Sequence, residues 1–529
     1  MERLVYFDGA MGTMLQKSGL KAGGMPEILN ITNPGLITDI HRQYAEAGCD
    51  IIKTNTFGAN SLKLKDYTVG EVVSAAVENA RAAADGRLVA LDIGPTGKLL
   101  EPMGELSFKR AYEVFGEIVR AGATDADLIL IETMSDTYEL KAAVLAAKGN
   151  SSLPVYATVT VDEAGRLLTG ADILSVVALL EGLGVDALGI NCGLGPKQIK
   201  GLFKTMRDYA SIPVIINPNA GLPKVGEDGM TYYEVGPEEF AEDMLEIASS
   251  GANIIGGCCG TTPEHIARMV EKTRHLMQKP LNPKGQTVVS SYAGAVIFDE
   301  KPIIIGGRIN PNVNDSVRNA LSEGDMDTIT DEAMEQADAG ADIVAVNVAI
   351  PDINEEEAMT EAVKSLQQFT RLPLMIESES PSVLEGALRL YNGKALISCV
   401  SGKKESMNTV FPLVKKYGGV VIALALDENG IPPTAEGRLE TAEKIIKNAI
   451  ERGIDKKDII IDVCAGAGNP DEGLKALKLI RERLGVKTVL GISKTDIINA
   501  DFLKEAVNSG LCAAVVDPCN DEIMEAFSL

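Results

Sequence analysis

The chain has 529 residues, 45% of them hydrophobic and 24% charged, which allows two large domains and excludes a disordered or fibrous protein. A formal net charge of −25 argues against nucleic acid and against an anionic membrane surface as partners. The sequence starts without a secretory signal and has no apolar stretch of about 18 residues, so we expect a cytoplasmic protein that acts on a small molecule or a protein partner.

Short apolar runs alternate with helix-length amphipathic segments through the first half of the chain. The runs that predict buried parallel strands are "LVYFDGAMG" from residue 4, "DIIKTNTFG" from 50, "LVALDIGPTG" from 88, "DLILIETM" from 127, "PVYATVTV" from 154, "ALGINCG" from 187, "PVIINPNAG" from 213 and "NIIGGCCG" from 253. Eight strand–helix units in about 270 residues match the size of one (β/α)8 barrel. A doubly wound open sheet is the alternative, although it rarely needs eight similar units.

Residues 278–297 break this rhythm with Pro, Gly and Ser and without a helical period, so we predict a linker there. After it the strand-like runs resume with "PIIIGGRIN" from 302, "DIVAVNVA" from 342, "PLMIESES" from 373, "ALISCVSG" from 395, "VVIALALD" from 420, "DIIIDVCAG" from 458, "TVLGISKTD" from 488 and "CAAVVDPC" from 512. We therefore predict an α/β fold of two tandem (β/α)8 TIM barrels, with domains at 1–277 and 298–529.

Polar side chains gather at the predicted carboxyl ends of the first barrel's strands, the edge where such barrels carry their chemistry. They are Asp8, Thr54, Asn55, Asp92, Glu132, Asn191, Cys192, Asn217, Asn219, Cys258 and Cys259. Buried polar groups are costly to leave unpaired, so their concentration at one edge indicates a ligand site.

Three of these residues are cysteines, and their thiols can meet because Cys192 ends the sixth predicted strand while Cys258 and Cys259 end the eighth. The chain's eight cysteines are too sparse for a disulfide scaffold, and neighbouring cysteines bridge each other only with strain. Three thiolates with one open position are typical of a catalytic zinc site, since soft thiolates suit zinc better than magnesium or calcium. A free cysteine is also commonly a small buried hydrophobic residue, so both interpretations stay open on spacing alone.

Several motifs of the first half resemble the homocysteine-binding module of cobalamin-dependent methionine synthases, within the zinc-dependent homocysteine S-methyltransferase family. They are "FDGAMGTMLQ", "ITNPGLITDIHRQYAEAGCDIIKTNTFGAN", "DIGPTGKLLEP", "ETMSD", "GINCGLGP", "NPNAGLP" and "GGCCGTTPEHI", and the match runs through nearly all of residues 1–275. The resemblance implies that Cys192, Cys258 and Cys259 bind Zn2+ and that the substrate thiol takes the fourth position.

The same resemblance implies the residues that bind homocysteine. Asn219 would fill or guard the fourth zinc position when substrate is absent, and Asp8 and Glu132 would receive the substrate's amino group. The remaining candidate substrate-binding residues are the backbone of Gly9, Ala10 and Met11, and the side chains of Thr54 and Asn55. Without the resemblance, Asp8 and Glu132 would equally serve as acceptors for backbone donors at a barrel rim.

The second half resembles the pterin-binding barrel that also serves as the folate-binding module of these synthases. The strings "GGRINP", "GDMDTITDEAMEQADAGADIVAVNV", "LPLMIESESPSVLEGALRLYNGKALI", "LDENGIPPTAEGR" and "DIIID" carry the resemblance. The candidate folate-binding residues are Arg308, Asn347, Glu377, Ser398, Asp462 and Lys494.

The second barrel departs from this family at its mouth. Gly307 and Ala345 stand where acidic residues are usual, Glu377 replaces an Asp, and Ser398, Ser401 and Lys494 replace Asn residues. A Glu displaces its carboxylate by one methylene, and each ligand donor left unpaired costs about 1–3 kcal/mol. Three interpretations stay open for this barrel: a different ligand, a purely structural role, and retained 5-methyltetrahydrofolate binding.

We therefore predict a zinc-dependent enzyme that methylates the thiol of homocysteine and gives methionine. The methyl donor would be methylcobalamin, supplied in trans, because no "DxHxxG" corrinoid-binding motif occurs in the chain. Either the corrinoid module is deleted from this chain or it is a separate protein. The alternatives are a thiol methyltransferase that uses another donor, and a zinc-binding scaffold of a corrinoid assembly without turnover.

Overall fold

Parallel β-strands alternate with α-helices in both halves of the chain, as the apolar periodicity predicts. The structure is a computed structural model that describes residues 3–21, 23–226, 231–299, 301–466, 469–491 and 499–527. It divides into two units, Met1–Lys284 and Gly285–Leu529.

The strands of the first unit form a parallel barrel. They are β1 Val5–Tyr6, β2 Ile51–Lys53, β3 Leu88–Ile93, β4 Leu128–Met134, β5 Val155–Val159, β6 Ala187–Asn191, β7 Val214–Asn217 and β10 Ile254–Ile255, with a short antiparallel hairpin of β8 Lys224–Val225 and β9 Thr231–Tyr232 between the last two. Among the described residues, eight strands pair in the order β1-β10-β7-β6-β5-β4-β3-β2. A parallel bridge between Phe7 and Ile51 joins β1 to β2 and closes the ring, which excludes the open sheet.

Apolar side chains fill the inside of this barrel and fix its register. The cluster consists of Phe7, Ile51, Ala90, Leu128, Leu130, Ala187, Ile215 and Ile254. Because side chains alternate along a strand, these inward residues leave the strand ends as the place where polar groups can face a ligand.

The helices of the first unit surround this barrel. They are α1 Met11–Lys17, α2 Leu29–Thr32, α3 Pro34–Glu46, α4 Val69–Ala84, α5 Phe108–Gly122, α6 Thr137–Asn150, α7 Ile173–Gly182, α8 Pro196–Tyr209, α9 Pro237–Ser250 and α10 Pro263–Thr273. Their starts carry the expected caps: the Thr68 hydroxyl accepts from the Glu71 N–H, and the Asp136 carboxylate accepts from the N–H groups of Tyr138 and Glu139. Nowhere in the described ranges is a helix both long enough and apolar enough to cross a membrane.

The second unit is also a parallel barrel. Its strands are β13 Ile303–Ile309, β14 Ile343–Val346, β15 Leu374–Glu377, β16 Leu396–Ser401, β17 Val420–Leu424, β18 Ile459–Asp462, β19 Lys487–Leu490 and β20 Ala513–Val516. They close in chain order, with β13 beside β20. The helices are α11 Asp315–Glu323, α12 Met326–Asp338, α13 Glu355–Phe369, α14 Pro381–Leu390, α15 Lys404–Tyr417, α16 Ala435–Glu451, α17 Pro470–Leu484, α18 Ala500–Asn508 and α19 Asp521–Glu525. The prediction of two (β/α)8 barrels is confirmed.

An antiparallel hairpin of β11 Val288–Ser290 and β12 Ala295–Ile297 lies within the segment predicted as a linker. Val289 belongs to the apolar cluster inside the second barrel. The Ser290 hydroxyl accepts from the N–H of Lys394, which precedes β16. The hairpin therefore covers the amino-terminal end of the second barrel, opposite the edge that carries the polar strand ends.

Tight contact between β6 and β7 gives a testable consequence for the first barrel. A Cβ on Gly189 would lie 2.0 Å from the Ile215 carbonyl oxygen, which is backbone and cannot rotate away. We expect Gly189→Ala to lower the free energy of unfolding by about 3 kcal/mol or more, as overpacking does. Gly201→Ala is the matched control, because no atom lies within 4 Å of its Cβ position in α8. It should be neutral or stabilise by up to about 1 kcal/mol. Urea unfolding of both variants measures the difference, and equal stabilities would contradict this packing.

Candidate metal and substrate site in the first barrel

Three cysteine thiols converge at the carboxyl edge of the first barrel. Cys192 follows β6, and Cys258 and Cys259 follow β10, which are separated in the sheet by β7. The Sγ atoms all lie within 4.8 Å of one another, and those of Cys192 and Cys259 are 3.8 Å apart. The described residues thus place three soft ligand atoms around one point.

The loop after β7 holds both cysteine segments in place. The Cys192 N–H donates to the Asn217 carbonyl at 3.1 Å, and the Cys258 N–H donates to the Pro218 carbonyl at 2.8 Å. The Ala220 N–H donates to the Cys259 carbonyl at 2.9 Å. Cys192 has φ +59°, a left-handed conformation that a non-glycine residue adopts at a cost. Such local strain is often found at functional sites, and these backbone hydrogen bonds maintain it here.

The spacing of the sulfurs fits a tetrahedral zinc ion. Zinc–sulfur bonds of about 2.3 Å at tetrahedral angles put two ligand sulfurs about 3.8 Å apart. The distance between the Cys192 and Cys259 sulfurs equals this value. Three cysteines are also a soft donor set that zinc prefers. The residues present therefore fit a zinc ion with one position left for another ligand.

Neighbouring groups support negative charge on the Cys259 sulfur. Hydrogen bonding from Cys192, and then from Cys258, lowers the pKa of the Cys259 thiol, while hydrogen bonding with Cys258, and then with Cys259, raises the pKa of the Cys192 thiol. The Asn191 amide donates to the Cys258 sulfur at 3.8 Å. Tyr233 lines the same cavity, and its hydroxyl also lowers the Cys259 pKa. Tyr233 was not identified from the sequence, because it follows the β8–β9 hairpin and not a barrel strand.

A cavity of about 370 Å³ opens beside the sulfurs. Of the residues predicted from the sequence, its lining includes Asp8, Gly9, Ala10, Met11, Thr54, Asn55, Glu132, Cys192, Cys258 and Cys259. Asn219 is buried but is not among the described lining residues, and its Oδ1 has no hydrogen-bond partner among them. Thus most of the predicted residues share one cavity, and Asn219 is a buried residue outside its described lining.

A buried lysine stands between the two carboxylates predicted to bind an amino group. The Lys53 ammonium is 3.5 Å from Glu132 Oε2 and 3.8 Å from Asp8 Oδ1. Burial raises the pKa of Asp8 to about 7, although Lys53 acts in the opposite direction. Burial also opposes the charge of Lys53, but Glu132 and Asp8 together raise its pKa well above the usual value. Lys53 was missed as a site residue because it was assigned to the body of its strand; its place directly before Thr54 was the available signal.

Some of the other polar side chains around this cavity are hydrogen-bonded to the described protein and others are not. The Thr54 hydroxyl accepts from the Asp92 N–H, and the Asn55 amide donates to the Pro26 carbonyl, so both side chains support the local fold. By contrast, Asp92 Oδ1 and both amide atoms of Asn217 are buried without hydrogen-bond partners within the described parts of the chain. Because such groups are costly, they indicate that this end of the barrel is completed by a bound species.

Gly9 allows the chain to approach closely beneath the cavity. A Cβ there would lie 2.7 Å from Thr261 Oγ1 and 2.8 Å from the Tyr44 ring. The Tyr44 hydroxyl in turn donates to the carbonyls of Ala10 and Thr261. This contact joins the segment after β1 to the segment after Cys259 and so sets the width of the pocket.

The second barrel has a cavity of about 540 Å³ at the same edge. Asn347, Glu377, Ser398 and Asp462 line it. Arg308 does not belong to the described lining, because it follows Gly307 on β13 and successive side chains point to opposite faces. Its guanidinium pairs with Glu332 at 2.7 Å. Lys494 lies outside the described residues.

The acids of the second cavity are only partly free to meet a ligand. Asp462 accepts from the N–H groups of Cys464 and Gly491 at 2.7 and 3.1 Å, and burial raises its pKa to about 6. Burial also raises the pKa of Glu377, while a hydrogen bond from Asn347 acts against it. Glu377 and Asn347 both belong to the cavity lining, so the Glu377 carboxylate faces the cavity.

Comparison with known proteins gives two family matches. Residues 5–273 match the family model described as homocysteine S-methyltransferase, and residues 306–516 match the model described as pterin binding enzyme. The chain is 32% identical to the methionine synthase of Mycobacterium leprae in an alignment 578 positions long, gaps included. It is also 32% identical to the methionine synthase of Mycobacterium tuberculosis, in an alignment of 567 positions. Each alignment covers 97% of this chain and 47% of the relative, so the chain spans about half the length of these curated relatives.

Solved structures show weaker likenesses. The oxidised homocysteine methyltransferase MmuM of Escherichia coli is 24% identical, with a TM-score of 0.45, over 51% of this chain and 96% of its own. A dihydropteroate synthase of Xanthomonas albilineans is 17% identical, with a TM-score of 0.37, over 46% of this chain and 96% of its own. Both TM-scores are below 0.5.

Proposed function

The chain belongs to the homocysteine S-methyltransferase family, and we propose that its first barrel methylates the thiol of homocysteine to give methionine. The observation that carries this proposal is the convergence of the three thiols of Cys192, Cys258 and Cys259 beside a cavity lined by carboxylates. The sulfurs offer a metal site with an open position, and the cavity offers room for the rest of an amino acid.

Activation of the substrate thiol is the chemical problem that this site addresses. A free thiol has a pKa near 8.5, so only about 3% is thiolate at pH 7, although the thiolate is the nucleophile. Cys192, Cys258 and Cys259 would hold the zinc ion. When bound, zinc supplies a positive charge that deprotonates a coordinating thiol. Asn219, whose Oδ1 is buried and unpartnered among the described residues, would guard the fourth position when substrate is absent.

The residues around the sulfurs then position and orient the reaction. Asn191 donates to Cys258, and its Oδ1 accepts from the Thr133 N–H at 2.8 Å, which fixes the amide's orientation. Asp8 Oδ1 has no hydrogen-bond partner in the described chain and is available to the substrate's ammonium. The substrate sulfur attacks the methyl carbon, the S–C bond forms, and the donor keeps the electron pair of the bond that breaks.

The methyl donor that we propose is a methylated corrinoid. The two relatives named as methionine synthases are about twice as long as this chain, so the source of the corrinoid is itself a proposal. We propose that methylcobalamin reaches the first barrel on a corrinoid-binding module outside residues 1–529. Free methylcobalamin therefore serves as the test donor.

For the second barrel, we propose that methyl-folate binding is lost or altered although the fold is retained. Supporting this, Glu377 in the cavity lining extends its carboxylate one methylene beyond the usual Asp, and Gly307 and Ala345 line the cavity where acidic residues are usual. Two or three ligand donors left unpaired, at about 1–3 kcal/mol each, would remove most useful affinity.

Thiol-dependent demethylation of methylcobalamin tests the first proposal. The zinc-loaded full chain should demethylate methylcobalamin only when homocysteine is added, which absorbance spectroscopy follows directly. Cys259→Ala should slow the reaction about 30-fold or more, because the substrate thiol then returns to its 3% ionised fraction. The matched control is Cys49→Ala, a buried cysteine outside the cluster, which should keep the wild-type rate within about threefold. A zinc-loaded wild type without turnover would contradict the proposal and favour a scaffold.

Calorimetric titration with 5-methyltetrahydrofolate tests the second proposal. We expect no measurable binding up to about 1 mM ligand, since the carboxylate of Glu377 lies too far forward for the pterin edge. Glu377→Asp restores the shorter acid and should bind more tightly than the wild type. Micromolar binding by the wild type would show that the replacement is tolerated, and no gain in Glu377→Asp would show that Glu377 is not what prevents binding.

A further inference from the structure

Lys53 is a buried cation in the first cavity that the proposed chemistry does not use. It ends β2 and is 8% exposed. Among the described residues that line this cavity, it is the one basic side chain. Burying a lysine ammonium is unfavourable unless charged or polar groups pair with it, so buried lysines are rare. We therefore asked which groups Lys53 can pair with in this cavity.

The hydrogen-bonding capacity of Lys53 is far from filled. An ammonium has three N–H donors, and the described residues provide Lys53 Nζ with one hydrogen bond, to Glu132 Oε2 at 3.5 Å. Charge-assisted hydrogen bonds between nitrogen and oxygen are usually about 2.7–2.9 Å long. The contact to Asp8 Oδ1 is longer still, at 3.8 Å. Lys53 is therefore held near the carboxylates without being saturated by them.

The pocket contains more carboxyl groups than ammonium groups. Asp8, Asp92 and Glu132 supply three carboxyl groups at the strand ends, against the one ammonium of Lys53. Glu27 adds a fourth carboxyl group to the lining, and its Oε1 accepts from the Gly58 N–H. Asp8 Oδ1 and Asp92 Oδ1 are buried without hydrogen-bond partners in the described chain. The pocket thus offers free acceptors for a cation and free donors for an anion at the same time.

We propose that Lys53 is a specificity-determining residue that binds the carboxylate of the thiol substrate, while Asp8 accepts the substrate's ammonium. This rests on the proposed function and specifies its substrate class as zwitterionic amino acids that carry a thiol. A zwitterion adds no net charge to the pocket. A thiol acid without an amino group would add negative charge beside three carboxyl groups, and an aminothiol without a carboxylate would leave the Lys53 donors unfilled.

Binding measurements on the zinc-loaded full chain test this assignment without requiring methyl transfer. Isothermal titration calorimetry compares homocysteine with 3-aminopropanethiol, which lacks the carboxylate, and with 4-mercaptobutanoate, which lacks the amino group. The wild type should bind homocysteine at least about tenfold more tightly than either analogue, because one charged hydrogen bond is lost in each case.

The variant Lys53→Met should affect homocysteine and 3-aminopropanethiol to different extents. We expect it to weaken homocysteine binding about 10- to 100-fold and 3-aminopropanethiol binding less than about threefold, since only homocysteine has the carboxylate that Lys53 binds. Lys53→Arg keeps the charge and should retain most of the wild-type preference. Lys63→Met is the control, because Lys63 donates to the Pro95 carbonyl and does not line the cavity.

Two results would overturn the assignment. An equal loss of both ligands in Lys53→Met would show that the lysine only supports the fold, and tighter homocysteine binding would show that it occupies the ammonium's place. If Lys53→Met does not fold, Lys53→Gln and the wild-type comparison of the three thiols decide the question. A protein that shows this binding pattern but no methylcobalamin turnover would contradict the proposed function and leave the role of Lys53 standing.

Discussion

The strand order of the first parallel barrel is the constraint on which the candidate site depends. Cys192 and the pair Cys258 and Cys259 lie far apart in the sequence, and they meet because β6 and β10 flank β7 in the closed sheet. The loop after β7 then bonds to both cysteine segments through its backbone. A metal site built this way is as rigid as the sheet beneath it, which suits a centre that must keep one position open while holding three ligands.

Sequence periodicity predicted both barrels, because buried parallel strands and amphipathic helices leave distinct patterns, and because strand ends in such barrels share one edge. The same logic identified Asp8 and Glu132 as neighbours of the cysteines. It did not identify Lys53, whose side-chain direction depends on the local end of β2, or Tyr233, which a hairpin brings to Cys259. Gly307 of β13 lines the second cavity, and successive side chains of a strand point to opposite faces. The side chain of Arg308 therefore points away from this cavity.

The first cavity is lined by many buried ionisable groups. Ionised groups in an apolar setting are strongly unfavourable unless they pair, and here three carboxyl groups, one ammonium and three thiols share one strand edge. Burial raises the pKa values of Asp8, Asp92 and Glu132, so the negative charge of these carboxylates is unfavourable with the protein's own groups alone. A metal ion at the sulfurs and a zwitterion across the carboxylates would each relieve part of this cost. The second barrel has no comparable sulfur cluster among its described residues, and its Asp462 and Glu355 accept hydrogen bonds from backbone and side-chain donors.

The most direct measurement of the central claim is X-ray absorption at the zinc edge of the full chain, with and without homocysteine. The account predicts three sulfur ligands and one lighter ligand at zinc in the free protein, and four sulfur ligands after homocysteine is added. Fewer than three sulfurs in the free protein, or a sulfur count that homocysteine leaves unchanged, would contradict it.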